Sequence, residues 1–230
     1  MTNEEYNEKL SKVITFTGAH LEISRPMSSV KEDMGQWDEL LKDREECRET
    51  CEGLFFDLEK GNIPLTPKNQ AEIAKLKRSL YPLLLCDLYK CYEQKERLQD
   101  AEAALLEARS LGSQGAEVLL FSLYARRLRE LGKSDATAIP LLQGAFSRVK
   151  KIDVFSERIV DEINNESFHS VALMILSDFY RVFDHDNGKS FECLAKAMQL
   201  EWPDNIQAKI RSKMAHFRKD YRSGTYRYVE

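Results

Sequence analysis

Arg126, Arg127 and Arg129 stand close together in the run Tyr124-Ala125-Arg126-Arg127-Leu128-Arg129-Glu130. Residues three apart share a helix face, so on a helix Arg126 and Arg129 converge on one anion. Each guanidinium that bonds a phosphate contributes roughly 1.5–3 kcal/mol. The competing reading of the same residues is a solvated basic patch. The cysteine pairs Cys47/Cys51 and Cys86/Cys91 invite a metal, but zinc wants four ligands, usually with a C-x-x-C step. These spacings are longer and no histidine is near in sequence, so the thiols read as core residues. His20, His169, His185 and His216 are scattered and build no Ser/His/Asp or Cys/His arrangement. His169 opens an apolar segment and reads as a capping or packing residue. The run Asp43-Arg44-Glu45-Glu46 reads as a solvated charged helix face. No Gly-rich phosphate loop exists. The sequence therefore predicts no enzyme, no metal and no cofactor.

Elements must position these side chains. The chain has 230 residues, 43% hydrophobic and 31% charged, which is a globular balance. Ten glycines and six prolines are few, and few turns in a long chain favour long helices. The net charge of −4 argues against a nucleic-acid binder. Five cysteines and an acidic, polar N-terminus predict reduced thiols and no targeting segment, hence a cytoplasmic protein with the nucleus as a second compartment. The longest apolar run, Val171 to Leu176, is too short for a bilayer, so no membrane is expected.

Apolar spacing predicts helices over 4–14, 16–30 (interrupted at Pro26) and 37–60. Gly61 to Pro67 reads as a linker. A long rod kinked at Pro82 is expected from Asn69 to Arg109, on Ile73, Leu76, Leu80, Leu84, Leu88, Cys91, Leu98 and Leu105. Further helices are expected over 117–132 and 136–151, with 152–167 irregular or weakly helical. Phe168 to Phe183 is apolar nearly all round and reads as a central, buried helix. Asp184 to Gly188 is a turn, followed by helices over 190–200 and 205–222. About nine antiparallel helices and no strand make an all-α bundle.

In this order the chain resembles a 14-3-3 protein. Glu117 to Leu131 (EVLLFSLYARRLREL) is similar to the family's fifth helix, including the Arg–x–Leu step at Arg129 and Leu131. Gly144 to Lys151 (GAFSRVKK) resembles the end of the sixth. Ser177 to Met198 (SDFYRVFDHDNGKSFECLAKAM) is similar to the seventh and eighth. The similarity is best over 117–200. The resemblance implies a nine-helix, tetratricopeptide-related bundle whose concave groove holds a phosphoserine or phosphothreonine segment of a partner. It implies one domain over 1–222, a homo- or heterodimer through the helices of 1–60, and a tail over 223–230.

Carried over by position, Arg129 matches the fifth-helix arginine, and its tyrosine neighbour is Glu130. The groove lysine seven positions earlier is Ser122, and the seventh-helix asparagine aligns with Ile175, beside Met174 on the groove's apolar side or in the core. No two of Lys42, Arg44 and Arg48 lie seven apart, and Glu46 and Gly53 fall near the third-helix cation positions. Losing two of three cations weakens phosphate binding by about two orders of magnitude or more. Arg126, at a position acidic in the family, runs the other way. The expected pocket is therefore remodelled, with both guanidiniums on one helix. The alternative function is a tetratricopeptide-like scaffold for unphosphorylated peptides. Ala195 to Pro203 resembles the end of one such repeat, although no 34-residue recurrence is visible.

Overall fold

The computed structural model describes residues 4, 7, 8, 11, 35–61, 66–131, 138–163, 166–200, 207, 208 and 210–215. The expected helix over 16–30, most of the 61–67 linker and the tail over 223–230 lie outside them. The described residues contain nine α-helices and no strand, as expected: α1 (Trp37–Glu59), α2 (Pro67–Lys75), α3 (Tyr81–Gln94), α4 (Leu98–Ser110), α5 (Gln114–Leu131), α6 (Ala138–Val149), α7 (Glu157–Ile163), α8 (Glu166–Val182) and α9 (Asn187–Ala197). No helix among them is long and apolar enough to cross a membrane. The chain forms two compact units, Met1–Ala116 and Glu117–Glu230, with the division inside α5.

In the first unit, α1 opens on Asp38 and Glu39, which favour the positive end of the helix dipole. It stops at Gly61, whose φ of 66° is the left-handed conformation that closes helices. Leu40, Leu41, Cys47, Cys51 and Leu54 form its buried stripe. Pro67 begins α2, where its missing N–H costs nothing. The expected rod from Asn69 is broken twice. A π-helical turn over Leu76–Leu80 lets the Tyr81 N–H reach back to the Leu76 carbonyl, and the turn widens just before Pro82, which has no N–H to give. At Lys95-Glu96-Arg97 the chain then reverses. The Arg97 N–H bonds the Tyr92 carbonyl at 2.8 Å and the Glu96 N–H bonds Glu93 at 3.1 Å, with Glu96 left-handed at φ 58°. That is a Schellman closure with glutamate where glycine usually stands. The end of α4 repeats it with Gly112 at φ 89°. The first closure turns α3 and α4 into a helical hairpin. Ala101, Ala104 and Ala108 keep the buried face of α4 small, which suits its close packing on α3.

In the second unit, the rings of Phe121 (α5), Phe146 (α6) and Phe179 (α8) meet at centroid distances of 5.1–5.9 Å and form the core. Helix α8 is central over Ala172 to Ser177, but its end emerges: Val182 is 42% and Phe183 54% exposed. A buried hydroxyl pair, Ser177 and Ser190, holds α8 to α9, with the Ser190 Oγ donating to the Ser177 carbonyl at 2.7 Å. Asp186 caps α9 by accepting from the Lys189 N–H at 2.9 Å. Within the segment expected to be irregular or weakly helical lies the short helix α7.

Candidate functional site

Helix α5 packs Val118, Leu119, Leu120, Phe121, Leu123 and Tyr124 into the protein and leaves its last turns to the arginines. Arg126 is half-buried, and its guanidinium lies over the Phe168 ring of α8, 5.9 Å from the centroid. A guanidinium so placed gains from the ring's negative face and keeps fewer rotamers than one extended into water. Arg127 is also half-buried. Arg129 and Glu130 lie on α5, but their side chains are outside the described residues. On α8 Met174 is half-buried. Ser122 and Ile175 are interior, at 1% and 5% exposure, and at that depth they pack the core of the second unit. The Ser122 Oγ finds no hydrogen-bond partner among the described residues.

His169 is buried and its Nε2 lies 2.7 Å from the Val154 carbonyl, so this ring nitrogen carries the proton and donates. It is a packing residue that fastens α8 to the segment before α7. All five cysteines are buried and none is in a disulfide.

The first unit holds a polar cluster that sequence reasoning missed. Arg44, expected on a solvated face, is buried at 1% exposure and faces Asp87 of α3 at 3.6 Å. Lys90, also buried, approaches the same carboxylate at 3.1 Å. One turn further along α1, Arg48 bonds Glu52 at 2.6 Å and Glu107 of α4 at 2.9 Å. The Tyr81 hydroxyl donates to the same pair of carboxylates, at 3.0 and 2.8 Å. Burial, reinforced by the Glu107 and Glu52 charges, pushes the Tyr81 phenol well above its ordinary value. Tyr92 donates to Glu45 while the Arg97 guanidinium covers its ring at 4.6 Å. These contacts run between α1, α3 and α4, so the cluster ties the three helices together. Its sequence signal was weak: Arg44 is flanked by exposed or half-exposed charges, and its partner lies on a distant helix.

No protein-family model, no curated protein and no solved structure matches the chain, and the 14-3-3 likeness rests on its sequence motifs.

Proposed function

We propose that this chain is an adaptor that captures a segment of another polypeptide and reads a phosphorylated serine or threonine with the arginines of α5. The observation that carries the reading is the anchoring of the Arg126 guanidinium on Phe168. Arg129 follows it by three positions on the same helix, the spacing that lets two guanidiniums share one phosphate. The motif resemblance over 117–200 supports the same reading. Dimerisation through residues 1–60 belongs to this proposal and is tested by light scattering on the full chain.

A fluorescent phosphoserine peptide of the Arg-Ser-x-pSer-x-Pro type, titrated against its unphosphorylated twin, is the direct test. Tighter binding of the phosphorylated form supports the reading, and equal or absent binding of both removes it. Equal binding favours the second reading, a scaffold for unmodified peptides. One observation supports that alternative. The α3–α4 hairpin has three-residue links, Lys95–Arg97 and Leu111–Ser113, and from the start of α3 to the start of α5 the step is roughly 33 residues, close to a tetratricopeptide period.

A further inference from the structure

We propose that Ser79 is phosphorylated by a basophilic protein kinase and that Lys75 and Arg78 then hold the phosphate. Ser79 is the only serine of the chain with three basic residues among the four before it, Lys75, Lys77 and Arg78. Kinases choose substrates by such charge patterns, and this one suits a cleft lined with carboxylates. Lys75, Arg78 and Ser79 are all exposed. None of the three makes a side-chain hydrogen bond or ion pair among the described residues. Lys77 is already engaged on α1, paired with Glu59 at 3.6 Å and lying over the Phe55 ring at 4.8 Å. The hydroxyl and two of the three cations are thus uncommitted.

A kinase takes its substrate extended, so a serine within a helix is reached only when its turn opens. Ser79 lies in a turn that opens at little cost. Leu76–Leu80 is π-helical, and the Tyr81 N–H reaches back to the Leu76 carbonyl. Pro82 follows and brings no N–H to the carbonyl of Arg78 or of Lys77, so the bond that would lock the turn over Ser79 is missing. In the transfer the Ser79 Oγ attacks the γ-phosphorus of magnesium-bound ATP. One O–P bond forms, the bond to ADP breaks, and the hydroxyl proton passes to the base of the kinase. The product carries a charge of about −1.5 to −2 and three acceptor oxygens. Lys75 stands one turn earlier and Arg78 is adjacent, so both cations are within reach of that group. Paired in this way, the phosphate ties the end of α2 to the π turn. The inference stands apart from the α5 arginines and does not rest on them.

The test incubates the full chain with magnesium ATP and the catalytic domain of protein kinase C, which is basophilic, and in parallel with casein kinase 2, which is acidophilic. Sites are mapped by tandem mass spectrometry. Phosphate on Ser79 from the first kinase and not from the second is expected, and S79A loses it. The double variant K75E/R78E is modified at least about tenfold more slowly, since it forfeits charge-assisted contacts with the kinase. In phosphorus NMR the phosphoserine of the modified chain titrates below its ordinary value of about 6, and K75A/R78A returns it there. If a charge variant does not fold, the mapping and the titration of the unaltered chain decide. The proposal is overturned if Ser79 stays unmodified, if the acidophilic kinase modifies it equally well, or if the titration midpoint is not lowered.

Discussion

Replacing Asp87 by asparagine keeps its shape and removes a carboxylate shared by Arg44 and Lys90. The three side chains are almost wholly interior, Arg44 at 1%, Lys90 at 2% and Asp87 at 6% exposure, with contacts of 3.6 and 3.1 Å. At an effective dielectric near 20, opposite charges this close attract by roughly 4–5 kcal/mol. The cost of dehydrating the charges offsets part of that attraction in the native protein. In the variant the dehydration remains for the two cations while their attraction to Asp87 is lost. Asp87→Asn is therefore expected to destabilise the first unit by about 3–5 kcal/mol. Lys90→Met costs less, because Asp87 retains Arg44. The assay is urea unfolding followed by Trp37 fluorescence in a Trp202→Phe background, since the chain has two tryptophans and Trp37 begins α1. A loss below about 1 kcal/mol, the range of exposed pairs, refutes the reasoning, because it means that the cluster is solvated in solution.

Glu96→Gly and His185→Gly relieve left-handed residues at φ 58° and 53° and are expected to raise stability by about 0.5–1 kcal/mol each, measured by the same unfolding assay with a reporter in the relevant unit. Ser122→Ala is expected to be neutral or stabilising, since its buried Oγ has no partner among the described residues, whereas Ser190→Ala costs about 1–3 kcal/mol by leaving the Ser177 carbonyl without this donor and the Ser177 hydroxyl without its acceptor; thermal unfolding ranks the two. Burial, aided by Cys193 and Asp184, pushes the Tyr180 phenol up to about 12. Folding thus favours its neutral form, so the stability it contributes is whole below the unfolded value of 10 and is lost as pH rises through about 12. Tyr180→Phe is expected to flatten that alkaline loss, read from unfolding midpoints across the interval.

The architecture was legible wherever apolar spacing and a strong terminator coincided. The expected helix over 37–60 is observed as Trp37–Glu59, bounded by the Lys60-Gly61 exit. The expected Phe168–Phe183 helix is observed as Glu166–Val182, and the turn after it ends in the Asp186 cap. The reversal at Lys95–Arg97 was not legible. Cys91, Leu98 and Leu105 keep a seven-residue spacing straight through it, and glutamate occupies the left-handed position that glycine normally announces. The candidate site was legible only in part. The arginine spacing fixed where Arg126 sits on α5, but its seating depends on Phe168 of another helix, which no local pattern predicts. Ser122 and Ile175 were placed by positional correspondence with the family, a criterion blind to how far α5 and α8 bury those faces.

The phosphate reading depends on the α5 guanidinium resting on Phe168, and charge reversal there tests it most directly. The measurement is the ratio of affinities for the phosphorylated and unphosphorylated twin peptides, taken on the full chain and on Arg126→Glu. One lost charge-assisted contact, at roughly 1.5–3 kcal/mol, corresponds to about a 10- to 100-fold fall in that ratio. A ratio unchanged by Arg126→Glu contradicts the account.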